Sequence, residues 1–166
     1  MTSETELKGR FRILQAFLGA WQGEGRGSFP GIESFRYAEE VEFRTRDGET
    51  SILYEQQTWV LDEAGGREPS HWESGFLQIT EDGRVDLLNA QNSGRVEVLR
   101  GDLVETSDRS IELILESVVH GHDPRMVSTH RRYVLSGDEM VYEVDMATRK
   151  VAGALRHLDA RLTRRR

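Results

Sequence analysis

Through the first eighteen residues, Leu7, Phe11, Leu14 and Leu18, with Phe17 beside them, recur at helical spacing and predict one short helix. Beyond Gly19 the period changes. Phe35, Tyr37, Val41 and Phe43 mark a strand by alternation. Further strand-like segments follow over 52–61, 72–80, 85–90, 95–100, 103–106, 110–119, 126–135, 140–146 and 151–162. Turn residues punctuate them, among them Asp47-Gly48, Gly65-Gly66, Asp82-Gly83, Ser93-Gly94, Gly101-Asp102 and Ser136-Gly137-Asp138. About ten short, evenly spaced strands predict an all-β, antiparallel up-and-down meander with a short N-terminal helix. Closing the meander into a barrel removes both exposed edges. A barrel of that size encloses room for one small ligand. A two-layer sandwich satisfies the same pattern.

Composition narrows the function classes. The 166 residues are 37% hydrophobic and 31% charged, which predicts one domain over 1–166, with 1–6 and 163–166 as disordered tails. No apolar run approaches the roughly 20 residues of a membrane span. The segment Met1 to Lys8 is polar and lacks the apolar stretch of a secretory leader. With no cysteine, disulfides, thiolate metal sites and cysteine nucleophiles are excluded, and a cytoplasmic location is expected. The net charge of -7 argues against nucleic acid as a partner. The basic end, Arg161-Leu162-Thr163-Arg164-Arg165-Arg166, reads as a solvated tail.

The most distinctive stretch is Gly19-Ala20-Trp21-Gln22-Gly23-Glu24-Gly25, a G-x-W-x-G-x-G pattern where the helix ends. Close-set glycines allow tight coiling and close backbone approach while one large ring plugs an open end. Four further pieces follow in order: the run Ser28 to Glu40, the run His71-Trp72-Glu73-Ser74-Gly75-Phe76-Leu77, then Met146-Ala147-Thr148, and His157-Leu158. Together the five pieces resemble the nitrobindin family, haem-binding relatives of the fatty-acid-binding proteins, over nearly the whole chain. The resemblance implies a ten-stranded lipocalin- or fatty-acid-binding-protein-like barrel. It also implies one ferric haem b per chain, with His157 as the axial ligand of the iron. Nitric oxide binding and isomerisation of peroxynitrite to nitrate are the associated activities, with the chemistry at the iron and no protein nucleophile. Gly19, Trp21, Gly23 and Gly25 would be architectural. The alternative function is a non-enzymatic carrier of a fatty acid or other hydrophobic ligand. Either way the expected partner is a small molecule in the cavity, with no membrane or nucleic acid; self-association as a homodimer is an open alternative.

This chain departs from the family pattern twice. Gly31 stands where a threonine is common near the haem edge. The connection from Met146-Ala147-Thr148 to His157 is about one residue longer than usual and lacks a proline. An extra residue inside the strand would turn His157 to the other face of the wall. Alternation alone leaves its direction open, since it shares a face with Leu155 but also with Asp159 and Arg161.

Other groupings have plainer readings. His120-Gly121-His122 with Asp123 and His130 could begin a zinc site, but the segment also reads as a polar loop ended by Pro124. His71 and Glu73 could be an acid/base pair or a hydrogen-bonded structural pair. One carboxylate of Glu39, Glu40 and Glu42 could point inward. Tyr37, Tyr54, Trp59, Phe76, Tyr133, Met140 and Met146 are candidates for the cavity wall.

Overall fold

The computed structural model describes residues 2–106 and 108–166; Met1 and Ser107 lie outside the described residues. Helix α1 (Glu4–Leu14) runs into a short 3-10 turn (Gln15–Phe17). Ten strands follow: β1 (Gly19–Phe29), β2 (Ile32–Arg44), β3 (Ser51–Leu61), β4 (Arg67–Ile79), β5 (Val85–Gln91), β6 (Val96–Glu105), β7 (Ile111–Gly121), β8 (Met126–Ser136), β9 (Glu139–Thr148) and β10 (Val151–Arg164). Each pairs antiparallel with its neighbours in sequence, and β1 pairs with β10 to close the barrel. The sandwich is thereby excluded.

Expectation and structure agree on the count partly because two differences offset. The motif at Gly19–Gly25 opens a full strand of 11 residues, which alternation had not marked. Conversely, the segments 95–100 and 103–106 are one strand, β6, and Gly101-Asp102 is no turn. Gly101 is buried inside the ladder, where a Cβ would overlap the carbonyl of Ile114 on β7. It is glycine because the neighbouring backbone comes too close for a side chain.

The tails are shorter than expected. Ser3 caps α1: its hydroxyl accepts from the Glu6 amide at 3.3 Å, and Glu6 accepts from the Ser3 amide at 2.7 Å. At the other end Thr163 and Arg164 belong to β10, and the Arg164 guanidinium lies 4.1 Å from the centre of the Trp21 ring. A closing strand needs partners to its last residue, which is why the basic end is held.

The two ends of the barrel differ. At the closed end α1 and the 3-10 turn cover the opening with Leu14 and Phe17, both fully buried with Trp21. The Trp21 indole N–H donates to the Phe17 carbonyl at 2.9 Å. At the open end lie the hairpins that join odd strands to the next even one. The inward positions follow this polarity strand by strand. β3 buries Ile52 and Tyr54, then Gln56 and Thr58; β5 buries Val85 and Leu87, then Asn89 and Gln91; β8 buries Leu135, then Arg131 and Thr129. The interior therefore has an apolar lower storey and a polar upper one.

Candidate functional site

The upper storey holds a cavity of about 200 Å³ that opens at the mouth, walled by Phe35, Tyr37, Thr58, His71, Arg95, Met146 and Leu158 among others. His157 is on this wall. The reason is a bulge. Along the β9–β10 ladder Arg156 pairs with Asp145 and Leu158 with Val144, so His157 is an extra residue with no partner. A bulge resets the alternation, allowing two consecutive side chains to face one way. Arg156 is pinned outside by Glu143 and Asp145, each at 2.6 Å. His157 and Leu158 then both face the cavity. The bulge places one unpaired residue inside the strand and leaves His157 on the cavity side.

The His157 ring is oriented by backbone. Its Nδ1 lies 3.1 Å from the carbonyl oxygen of Ser28 at the end of β1. A carbonyl can only accept, so Nδ1 carries the hydrogen and Nε2 keeps its lone pair. Burial pushes the imidazole pKa down from its ordinary value; the bond to Ser28 opposes this, while Arg95 and His71 add to it. The neutral ring is the form that can ligate a metal. Phe29 packs edge-on against it, ring centres 5.7 Å apart.

Below the mouth a charged belt crosses the barrel. Arg131 donates to Glu73 through both terminal nitrogens, at 2.6 and 3.3 Å, and to Glu97 at 3.3 Å. All three side chains are at most 7% exposed. The Tyr54 hydroxyl donates to Glu73 at 3.2 Å, and Thr129 donates to Glu97 at 3.2 Å. His71 donates from Nε2 to Glu73 at 2.8 Å, and Arg95 reaches Gln91 at 3.0 Å. Burial by itself would raise the Glu73 pKa, but the Arg131 charge and the His71 and Arg131 hydrogen bonds outweigh it and hold Glu73 well below the usual carboxylate range. The pair His71–Glu73 is thus a hydrogen-bonded structural clamp on the cavity wall.

Glu39 is the inward carboxylate of its group. It accepts from the Tyr142 hydroxyl, which is also 2.9 Å from the Tyr37 hydroxyl and 3.3 Å from the Gln56 amide. Burial pushes its pKa up to about 8; the bond from Tyr142 opposes this, and the charge of Glu73 adds to it. Glu39 is therefore a neutral acid at pH 7. A pKa raised in the folded state means that folding retains a proton the unfolded chain releases. Stability from this group is full below the unfolded value of 4.5 and is lost as pH rises towards about 8. Glu39→Gln removes that dependence and keeps an acceptor for Tyr142. Relative to wild type the variant gains nothing near pH 4.5 and about 3 kcal/mol by pH 7, to be read from urea unfolding at both values.

Of the other candidates, Tyr37 and Met146 line the cavity, whereas Tyr54 and Tyr133 surround a void of about 10 Å³ in the lower storey. Met140 is fully buried in the core. Phe76 faces outward and is 47% exposed, because Gly75 and Leu77 bracket it on the pleat; Trp59 is half-buried outside the cavity wall. His120 is exposed on β7, and His130 faces Asp145 at 3.8 Å on the outer surface. Among the described residues no three His, Asp or Glu side chains could hold a metal ion, so the zinc grouping does not converge. Gly31 forms the β1–β2 turn with Pro30 at φ 86°, a conformation in which threonine would be strained. Gly25 gives the motif its structural meaning: a Cβ there would overlap the Tyr37 ring, which lies across β1 against the cavity. The belt residues Glu97, Thr129 and Arg131 escaped the sequence reading, although a charged residue on the inward face of an alternating strand is a signal for them.

Comparison with known proteins adds an independent line. The family model described as a THAP4-like, haem-binding β-barrel domain matches residues 10–164. A peroxynitrite isomerase from Nocardioides sp. is 36% identical over 151 residues, covering 89% of this chain and 88% of the relative. A protein of Arabidopsis thaliana named peroxynitrite isomerase Rv2717c is 37% identical over 135 residues, 81% of this chain and 77% of its own. The crystal structure of Rv2717c from M. tuberculosis superposes with a TM-score of 0.84 at 33% identity, covering 95% of this chain and 98% of that one. The chain therefore belongs to the nitrobindin family of haem-binding β-barrels.

Proposed function

We propose that this chain holds one ferric haem b per barrel through Nε2 of His157 and uses it to isomerise peroxynitrite to nitrate and to bind nitric oxide. The observation that carries the reading is the His157 bulge: a neutral imidazole with Nδ1 committed to Ser28 presents its other nitrogen to an open cavity. The apolar part of the wall suits a flat, largely apolar group, with Phe29 packed on the imidazole, Phe35, Val144, Met146 and Leu158 lining the cavity, and an open mouth for a polar edge. When bound, the haem would supply a Lewis-acidic ferric centre with an open coordination position. The protein's part is to orient the ligand ring, keep it neutral and limit access to one side.

The charged belt weighs against the lipid-carrier alternative. An acyl tail would have to pass Glu73, Arg131 and Glu97 into a lower storey that has room for nothing larger than a water molecule. We assign the activity to the whole barrel with its helix, residues 1–166. We place it in the cytoplasm, since a cysteine-free chain has no need of an oxidising compartment. Among the described residues no helix is long and apolar enough to cross a membrane.

Hemin titration followed by absorption spectroscopy tests the reading. Wild type is expected to take up one equivalent with a sharp Soret band, and His157→Ala to lose at least about tenfold in affinity together with the axial-histidine signature, given the cost of losing a ligand. No uptake by wild type, or an unchanged Soret band in His157→Ala, overturns the assignment.

A further inference from the structure

Regular alternation would turn β10 the other way at His157. Ala160 and Leu162 are buried and Leu158 lines the cavity, so the even positions from 158 to 162 face inward. Carried back without a break, that pleat puts Arg156 inside the barrel and His157 outside. The strand does the reverse, because the bulge inserts one residue between the pairs Arg156–Asp145 and Leu158–Val144. Two arrangements of one strand therefore compete, and they differ in which of two neighbouring side chains is inside.

The arginine is held out by a clamp that brackets the bulge. Its Nη1 is 2.6 Å from Glu143 and its Nε 2.6 Å from Asp145. Asp145 is the ladder partner of Arg156 itself, before the bulge; Glu143 is the partner of Asp159, after it. One guanidinium thus spans the two registers that the extra residue separates. The carboxylates are fixed in turn from β8. Arg132 lies 3.7 Å from Glu143 and His130 3.8 Å from Asp145, each directly opposite on the ladder. The inward face beside this position carries Val144, Met146 and Leu158, an apolar surface with nothing to balance a guanidinium charge.

We infer that Arg156 is the positioning residue of this site: its clamp on Glu143 and Asp145 selects the register of β10 in which the His157 ring enters the cavity. The role deepens the haem reading above and rests on it for the ligand that His157 would hold. Ser28 and Phe29 fix the ring only once it has turned inward. Arg156 acts one step earlier, on the choice between registers. Partly exposed ion pairs are individually weak, but two of them acting on one register shift its population by about tenfold.

Three variants and two readouts test the role. Arg156→Leu removes the clamp and offers the inward position an apolar side chain. Arg156→Lys keeps a cation outside. Glu143→Gln combined with Asp145→Asn removes the clamp from the β9 side and leaves Arg156 in place. In the apoprotein, nitrogen NMR of the imidazoles is expected to show His157 of wild type with its hydrogen on Nδ1, as the Ser28 bond requires. Arg156→Leu and the double variant are expected to lose that preference, and Arg156→Lys to keep it. In hemin titration the first two are expected to bind about tenfold more weakly, with a weakened axial-histidine signature, and Arg156→Lys to stay within about threefold of wild type. The double variant separates position from charge. It removes two negative charges near the site, which on charge alone would tighten binding of hemin, itself a dicarboxylate. Lost position weakens binding instead. An Nδ1 hydrogen retained in Arg156→Leu, or hemin bound by it as tightly as by wild type, overturns the proposal. If Arg156→Leu does not fold, the same two results in the double variant overturn it. Failure of wild type to take up hemin overturns the haem reading instead, and the Nδ1 hydrogen in the apoproteins still decides whether Arg156 turns His157 inward.

Discussion

Arg131→Met is expected to cost about 3–5 kcal/mol of stability at neutral pH, because it leaves Glu73 and Glu97 buried without their counter-charge. In a chain of this size that lowers the melting temperature by about 10 °C. The loss should depend on pH in a definite direction. In wild type Glu73 is held well below the usual carboxylate range, so its contribution is present above the unfolded value and is lost as pH falls. In the variant burial dominates, the folded pKa rises above the unfolded one, and stability is instead lost as pH rises. The gap between the two proteins therefore narrows on acidification towards about pH 4.5. Urea unfolding at pH 7 and pH 5 measures it. A gap of constant size would mean that Arg131 contributes packing and not charge. Glu73→Gln and Glu97→Gln combined with Arg131→Met should recover most of the loss, since neutral amides need no counter-charge.

The belt also shows what alternation along a strand can and cannot reveal. The period of two made the strands readable, because a half-buried wall needs its apolar side chains on one face. Within each strand the switch from apolar to polar inward positions is written in order too: Ile52, Tyr54, Gln56, Thr58 on β3, and Leu135, Tyr133, Arg131, Thr129 on β8. What no single strand contains is the partnership. Glu73, Glu97 and Arg131 come from β4, β6 and β8, and only closure of the barrel brings them within 3.3 Å. Glycine misled in both directions for one physical reason. Gly101-Asp102 resembles a hairpin turn, and Gly23 and Gly25 suggest tight coiling, yet all three glycines sit inside strands where other atoms occupy the place of a Cβ. The direction of His157 was the least legible feature. A bulge is set by the register against Asp145 and Val144 on the neighbouring strand, and alternation along β10 contains no trace of it. The family order pointed to His157; the bulge is what carries the ring to the cavity.

Trp21→Ala is expected to be as damaging to stability as the loss of Arg131, at about 3–5 kcal/mol, while leaving hemin affinity intact. Trp21 is fully buried at the closed end, its indole N–H bonded to Phe17 and its ring covered by Arg164. Truncation would leave a hole beneath the helix, an unpaired Phe17 carbonyl and a loosened β1–β10 closure. The hole and the unpaired carbonyl lie at the closed end, away from the cavity, while the upper part of the β1–β10 seam, which carries His157 and Ser28, keeps its own pairing. Trp21→Phe, which keeps much of the buried area and loses the hydrogen bond, should cost nearer to about 1 kcal/mol from the bond alone, plus a smaller packing loss. His157→Ala should give the mirror image, a melting temperature close to that of wild type in the apoprotein and impaired haem uptake. Thermal unfolding of the apoproteins and hemin titration at a temperature where all remain folded separate the two effects. If folded Trp21→Ala also lost haem, the storeys would be coupled through the β1–β10 seam, and the G-x-W-x-G-x-G strand would set the site as well as the closure.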